Sequence, residues 1–313
     1  MTARAGMRVG LALLQLVAVS VGVFVLTTFL PGDTAEVVLG PLATPEQIEV
    51  LRGQLGLDRP VWAQFADWVG GLVHGDLGRS IATGRPVVDD IGSRLGLTVV
   101  LALLAVVVLV PLVVVLGLYG GRHPGSPADR LITAATTVAH AVPDFALGLL
   151  LVALFALQLG WLPATAAGSV GLSGLTAPML VLPVAILVSN QLGRLARQVR
   201  IGVVEADAAE HVAHLRRLGL AERTVLLRHV LPAGVVPSLQ QFARTVDGLL
   251  GGVLVVEALF ALPGLGSGFV AAVQTRDLPV VQAYALLFAA TTVVVNLVAD
   301  LASARLVPQA VRL

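Results

Sequence analysis

Long apolar runs, separated by short polar connections, dominate the chain. A helix that crosses the hydrocarbon core of a bilayer needs roughly 20 apolar residues, so we searched for runs of that length bounded by charge or by Pro and Gly. The pattern predicts an all-α membrane protein with six transmembrane helices. The predicted spans are 9–30, 96–119, 131–159, 175–193, 235–262 and 280–304.

Several of the predicted spans contain prolines. Pro111, Pro143 and Pro183 would break a helix in water, whereas neighbouring helices of a membrane bundle can satisfy the carbonyl groups that each proline frees. We therefore expect kinked spans rather than interrupted ones.

The arginines are distributed unevenly over the connections. Arg4 and Arg8 precede the first span, Arg122 and Arg130 follow the second, and seven arginines follow the fourth, between residues 194 and 228. Short loops rich in arginine stay in the cytoplasm. The alternate connections agree, since residues 160–176 carry no charge and residues 31–95 carry nine acids against five arginines. Both termini are thus predicted to be cytoplasmic, and the first run to be a retained signal anchor.

Composition supports the bilayer as the solvent of this chain. Of 313 residues, 57% are hydrophobic and 12% are charged, and the mean hydropathy is +0.91. The 20 basic residues are scattered arginines interleaved with 19 acids, so a nucleic-acid partner is not expected. The absence of cysteine excludes disulfides, thiolate nucleophiles and Cys-ligated metals.

The first external connection, residues 31–95, is predicted to contain short helices rather than linker. Thr44, Pro45 and Gln47 form a capping box with a first-turn proline, and Gly56 marks the end of that helix. A second helix follows Pro60, and its apolar face must rest on something. Packing on the outer ends of the spans or on lipid headgroups is favoured over docking of an external partner. That face consists of Val61, Trp62, Phe65, Trp68, Val69 and Leu72.

The connection between spans four and five, residues 201–232, is too polar to cross a membrane and too regular to be disordered. Apolar residues recur at helical spacing up to Leu215, Gly219 interrupts the pattern, and a second stretch leads to Pro232. The pattern predicts a helix, a break and a second helix. An amphipathic helix of this kind suits a groove on a soluble cytoplasmic partner or the surface of the inner leaflet, and composition alone leaves both open.

The same connection resembles a loop signature of ABC importer permeases. Gly219 is followed at the matching distance by His229-Val230-Leu231-Pro232, although Ala213-His214-Leu215 replaces the usual Glu-Ala-Ala and His229 replaces isoleucine. The dipeptide, oligopeptide and nickel branch of that family has a small-residue and basic run before Gly-Leu, and Arg216-Arg217-Leu218-Gly219-Leu220 is similar to it.

Further segments resemble that branch in the same order along nearly the whole chain. Two positions depart from its pattern: Asp144 follows Pro143 where serine is usual, and Val307-Pro308-Gln309 replaces a terminal Asp-Pro-Arg. The resembling segments are Leu30-Pro31-Gly32-Asp33, residues 55–60, 75–80 and 159–163, Pro263-Gly264-Leu265-Gly266, and residues 276–282.

The resemblance implies a single permease domain over residues 1–313, with the fold of type I ABC importers, in the inner membrane. It implies four kinds of partner: a second homologous permease, two cytoplasmic ABC ATPase domains, an extracytoplasmic substrate-binding protein and membrane lipid. ATP hydrolysis would belong to the partners, so the chain itself is expected to be no enzyme and to bind no cofactor. The implied ATPase-coupling residues are Glu210, His211, His214, Leu215, Arg216, Arg217, Gly219 and Leu220.

Several polar residues fall within or near the predicted spans, where a charge is costly enough to suggest a functional site. Arg244 and Asp247 are three residues apart, which fits either a mutual ion pair or the lining of an aqueous pathway. Glu257 is placed near the outer end of span five, within reach of the interface. The candidate pathway residues are Asp144, Asn190, Gln191, Arg244, Asp247 and Glu257, with His140 close to Asp144.

Other functions fit the residues less well. His211 and His214 are three apart, but the His-Glu-x-x-His order of a zinc protease is absent, so no metal site is predicted. A secondary transporter or channel without ATPase partners is the alternative function, and it would require repeats that are not evident. An intramembrane hydrolase would need a nucleophile beside a base, and His140 has no obvious partner of that kind.

Overall fold

The computed structural model of the protein describes residues 2–28, 34–40, 42–169 and 171–306. Within these ranges the regular structure is helical, apart from one isolated β-bridge between Arg79 and Pro86. The resembling segment Leu30–Asp33 and the departing segment Val307–Gln309 both lie outside the described residues.

Thirteen α-helices follow one another along the described chain, joined in places by short 3-10 or π-helical turns. A π-helical stretch, Val152–Gln158, extends α7, and another, Leu226–Val230, joins α10 to α11. The helices are α1 Thr2–Thr28, α2 Thr34–Leu39, α3 Pro45–Gln54, α4 Val61–Val73, α5 Val87–Arg122, α6 Pro127–Ala141, α7 Asp144–Leu151, α8 Ala177–Asp207, α9 Glu210–Arg217, α10 Glu222–Val225, α11 Leu231–Leu259, α12 Leu265–Gln274 and α13 Leu278–Leu306.

Four helices of the described chain are long and apolar enough to cross a membrane: α1, α5, α8 and α13. The pair α6 and α7 meets the same criterion together as one bent span, which gives five. The predicted span 235–262 coincides with the continuous helix α11, many of whose side chains lie outside the described residues. Six spans and cytoplasmic termini therefore remain predictions.

The predicted kink at Pro143 is a sharp break. α6 ends at Ala141, α7 begins at Asp144, and the two helix axes differ by 108°. Pro111 and Pro183, by contrast, lie inside the continuous helices α5 and α8. The same residue type thus gives a break only where Val142 adopts an extended backbone before the proline.

The chain forms two compact units. The first comprises the described residues of Met1–Thr98, Val170–Leu172 and Pro263–Leu297. The second comprises the described residues of Val99–Ser169, Ser173–Leu262 and Val298–Leu313.

In the first unit, the short helices predicted for residues 31–95 form as α3 and α4. The side chain of Thr44 accepts from Gln47 N, and the Gln47 side chain accepts from Thr44 N, so the capping box at the start of α3 is complete. On α4, Phe65 and Trp68 pack their rings against buried Phe24 of α1, with centroids 5.1 and 5.8 Å away. Packing on a span, the favoured interpretation of the α4 face, is confirmed for these two rings, whereas Trp62 is 74% exposed.

A buried carboxylate ties the loop between α4 and α5 in the first unit to the turn before α13. Asp277 is 3% exposed and accepts from Ser80 Oγ at 2.5 Å, from Ile81 N at 3.1 Å and from Ala82 N at 3.3 Å. Residues almost 200 positions apart are thereby joined by three hydrogen bonds to one charged group. A second long-range bond, from Tyr284 Oη to Asp90 Oδ2 at 2.6 Å, links α13 to the start of α5.

Glycines allow the helices of the second unit to approach very closely around α8. A Cβ atom added to Gly202 of α8 would lie 2.3 Å from the carbonyl oxygen of Gly234 on α11, and one added to Gly193 would lie 2.8 Å from Thr136 O on α6. On α5, the same test at Gly121 meets Val203 at 2.5 Å. Helix association in lipid depends on such close contact between small residues.

One buried ion pair accompanies this packing. Asp129, 3% exposed, accepts two hydrogen bonds of 2.8 Å from the guanidinium of Arg200 on α8 and one of 2.9 Å from Gly125 N. The two carboxylate oxygens of Asp129 and two guanidinium nitrogens of Arg200 form a bidentate contact, which fixes the start of α6 against α8.

We expect Gly202→Ala to destabilise the second unit by about 1–3 kcal/mol, because the new methyl group would overlap a backbone carbonyl that cannot rotate away. Gly251→Ala is the matched control on α11, since no atom lies within 4 Å of its added Cβ. Thermal unfolding of the purified detergent-solubilised chain would measure both. Equal unfolding temperatures for the two variants would contradict the packing described.

We expect Asp277→Asn to loosen residues 76–86 of the loop between α4 and α5 and to cost about 1.5–3 kcal/mol, because the amide retains one acceptor and presents a donor to other donors. Limited proteolysis within that loop, together with the unfolding temperature, would report the change. Asp89→Asn, at an exposed carboxylate, serves as the control.

Candidate functional site

The predicted cytoplasmic loop folds as a helix, a glycine turn and a second short helix. α8 continues to Asp207, so the first residues of the predicted loop extend that helix. After α9, Gly219 has φ +78°, Gly219 N donates to Arg216 O at 3.0 Å and Leu220 N donates to Leu215 O at 3.3 Å. These two bonds form a Schellman motif, which requires a left-handed residue at the position of Gly219. The predicted break at Gly219 is therefore confirmed.

An ion-pair network holds this loop against the C-terminal ends of α5 and α8. Arg216 of α9 donates to Asp207 Oδ1 at 2.6 Å and to the Glu222 carboxylate at 3.0 and 3.1 Å. Glu222 also pairs with Arg122, the last residue of α5, at 2.9 Å. The order Asp207, Arg216, Glu222, Arg122 thus connects α8, α9, α10 and α5. Individual exposed ion pairs contribute little to stability. A network in which the guanidinium of Arg216 binds two carboxylates holds α9 in one position.

The charges of this network reinforce one another. Hydrogen bonds from Arg216 hold the pKa of the Glu222 carboxyl below its ordinary value, and Arg122 lowers that pKa further. The pKa of Arg216 is raised in turn, first by its bond to Glu222 and then by its bond to Asp207. Arg216 and Glu222 are consequently both charged at neutral pH.

The residues of α9 and of the turn that follows it divide into an inward and an outward set. Val212 is fully buried at the centre of α9, and Leu215 and Arg216 are half-buried. Leu218 is 63% exposed. The outward set consists of Glu210, His211, His214, Arg217, Leu218, Gly219 and Leu220.

Sequence reasoning missed three members of the network. Asp207, Glu222 and Arg122 were not candidates, because nothing in the local pattern shows that the ends of α5 and α8 meet the loop. One signal for Glu222 was available in the sequence. Glu222 is the first residue of α10, where the helix dipole favours an acidic side chain, and it lies shortly after Arg216. Of the predicted coupling residues, Arg216 is a member of this network.

A second group of polar side chains lies at the break between α6 and α7. His140 Nδ1 contacts Asn190 O at 2.8 Å and Asn190 Oδ1 at 2.9 Å. Asn190 Nδ2 donates to Asp144 Oδ1 at 2.8 Å. Two of the predicted pathway residues, Asp144 and Asn190, are thus in direct contact, and His140 joins them. The side chain of Asn190 bridges the other two.

The other pathway candidates are placed differently. Gln191 is 3% exposed, and a Cβ atom added to Gly248 of α11 would lie 2.7 Å from its Nε2 atom. Glu257 is fully buried and has a partner, so it does not extend to the interface as its sequence position suggested. The side chains of Arg244 and Asp247 lie outside the described residues, and their predicted ion pair remains a prediction.

Comparison with known proteins extends over the whole chain. Residues 113–312 match the family described as binding-protein-dependent transport system inner membrane component, and residues 5–102 match the N-terminal region of such components.

Curated relatives match over nearly their full length. A putative peptide transport system permease protein of Brucella abortus is 36% identical over 306 residues, which cover 96% of each chain. A putative peptide transport system permease protein of Brucella suis matches equally. A glutathione transport system permease protein of Escherichia coli is 36% identical over 294 residues, 93% of this chain and 92% of the relative.

The matches agree with the structure on what kind of protein this is. Several long apolar helices fit a multi-pass protein of the inner membrane, and the family works with a substrate-binding protein. ATP hydrolysis lies in separate subunits of such systems, so the chain is a transport subunit and no enzyme. The chain belongs to the family of inner membrane components of binding-protein-dependent transport systems, and it is a permease of the ABC importer type.

Proposed function

We propose that this chain is one of two homologous permease subunits of a peptide importer, with six spans, both termini in the cytoplasm and α9 seated on an ATPase subunit. The single observation that carries the coupling assignment is the loop Asp207–Val230, which is rigidly held at Arg216 and exposed on its opposite side. The names of the relatives, peptide and glutathione transport permeases, support peptides as the substrate class.

The outward set of α9 has the chemistry of a docking surface. Leu218 and Leu220 supply exposed apolar area, and Arg217 adds a cation beside them. An apolar anchor rimmed by charge is the usual composition of an interface that binds a groove on a soluble protein. The inner leaflet is the competing occupant. The turn at Gly219 projects the two leucines from the end of a helix, a geometry that suits a groove better than a flat surface.

The inward set determines where a force on α9 would go. Arg216 links α9 to Asp207 at the end of α8, and through Glu222 to Arg122 at the end of α5. A displacement of α9 by closure of the ATPase subunits would therefore be transmitted to both long helices. We propose that the loop acts in this way as a lever between inward-open and outward-open states.

The alternative, a transporter or channel without ATPase partners, makes the opposite biochemical prediction. The importer proposal requires ATPase subunits to co-purify with the native chain and substrate uptake to depend on ATP. Isolation of the native chain alone, with uptake that ignores ATP, would refute it.

We expect Leu218→Asp to reduce the amount of ATPase subunits that co-purify with the permease on the order of tenfold, because truncating or charging a central interface anchor costs 2 kcal/mol or more. Leu42→Asp is the control, since Leu42 is 95% exposed and lies in the predicted external segment. Retained ATPase subunits but lost binding to anionic vesicles would place α9 on the membrane instead.

We expect Arg216→Ala to increase amide hydrogen exchange in α9 and α10, because Arg216 is the centre of the network, whereas Arg217→Ala leaves exchange unchanged. The two variants remove the same charge from adjacent positions, so a difference between them reports the network rather than net charge. Exchange that is equal in both variants would show that the network does not order the loop.

The same network predicts a pH dependence. The pKa of Glu222 is lowered from its ordinary value of 4.5 in the folded chain, so the stabilisation is present above that pH and is lost as the pH falls through the lowered pKa. Protection of α9 and α10, corrected for intrinsic exchange, should stay constant from about pH 7 to about pH 5 and fall below about pH 4. Glu222→Gln should abolish this dependence.

A further inference from the structure

The cluster of His140, Asn190 and Asp144 lies at a break in an otherwise apolar stretch of chain. α6 and α7 together form one apolar segment bent by 108°, and the cluster sits at the bend. Asn190 belongs to the apolar part of α8, 13 residues from its first residue, Ala177. At about 1.5 Å per residue this places Asn190 roughly 20 Å along the helix, within the predicted span 175–193 and near its end.

The break itself indicates that water or protein reaches this point. Val142 and Pro143 have non-helical backbone, and such backbone is tolerated at membrane depth only where it is buried in protein or lines a water-filled cavity. Within the described structure, His140 and Pro143 are exposed, and Asp144 and Asn190 are half-buried. The cluster is therefore accessible from one side, which fits a position on the translocation pathway.

Two polar atoms of the cluster have no hydrogen-bond partner in the described part of the chain. Asn190 occupies Oδ1 of Asp144 and leaves Oδ2, which lies 3.6 Å from the Cβ position of Gly252. His140 Nδ1 contacts two acceptors of Asn190, so this nitrogen is the donor, and the Nε2 atom of the ring is left for a ligand. The cluster thus offers a carboxylate oxygen and a ring nitrogen.

We propose that Asp144, positioned by Asn190 and assisted by His140, binds the amino-terminal ammonium group of a peptide during its passage. An ammonium group has three N–H donors and one positive charge, which match a carboxylate oxygen and a ring nitrogen that can accept a hydrogen bond. This inference rests on the proposed peptide import and adds the part of the peptide that the permease recognises.

The opposing interpretation is purely structural. Asn190 would bridge Asp144 and His140 only to hold the bend between α6 and α7, and the remaining acceptors would face bulk water. The variant Asp144→Ser separates the two, because it removes the carboxylate and keeps a small side chain with a hydrogen-bonding group at the start of α7. A serine at position 144 is therefore expected to be compatible with the bend while it removes the charge.

The test uses the complete importer, with its ATPase subunits and binding protein, reconstituted in liposomes. The probes are dipeptides and tripeptides supplied as pairs, each with a free and with an N-acetylated amino terminus, and uptake is read by mass spectrometry. We expect Asp144→Asn and Asp144→Ser to lower uptake of the free-amine peptides about tenfold and to leave the acetylated ones unchanged. Asp144→Glu should retain more uptake than either, and Asp89→Asn should match the unaltered chain.

Each other outcome overturns a particular statement. Equal losses for free and acetylated peptides, with subunit assembly intact, would make Asp144 a structural residue. Unchanged uptake of both in Asp144→Ser would remove it from the pathway. If the unaltered complex hydrolyses ATP but takes up no peptide of either kind, the proposed peptide function fails, and this inference fails with it.

Discussion

Close backbone contact between helices is the constraint on which the second unit depends. In lipid, apolar side chains gain nothing by leaving the solvent for one another, so helices associate through tight packing and a few polar contacts. α8 meets α5, α6 and α11 at positions where a single methyl group would not fit, as at Gly202, Gly193 and Gly121. The large side chains that would drive the folding of a soluble bundle instead face outward, as Leu103, Val107 and Val115 do on α5.

Two polar contacts within the described residues fix positions that packing leaves open. The bidentate pair of Asp129 and Arg200 fixes α6 on α8, and the carboxylate of Asp277 fixes the loop between α4 and α5 on the turn before α13. Leaving one partner of such a buried pair unmatched costs far more than the pair contributes. Both are therefore better understood as determinants of one arrangement than as sources of stability.

Local features of the fold could be predicted from the sequence with some accuracy. The capping box at Thr44 and the glycine break at Gly219 depend on neighbours within a few residues, and both form as the pattern indicates. The bend at Pro143 was predicted only as a kink, because its angle depends on contacts with Asn190, far away in the sequence. The partners of Arg216 and Asp277 were unpredictable for the same reason: a charge in a sequence does not identify the charge or hydroxyl group that it will meet.

The contact between Gly202 and Gly234 has a mechanical consequence for the loop that joins their helices. Gly202 precedes that loop and Gly234 follows it. Because their backbones are in contact, the residues between them form a closed loop whose two ends are held together. Within this closed loop, Arg216 cross-links α9 to the end of α8. Such a closed loop has little freedom to swing by itself. If α9 docks on an ATPase subunit as proposed, a displacement of α9 would move α8 and α11 together as one rigid body.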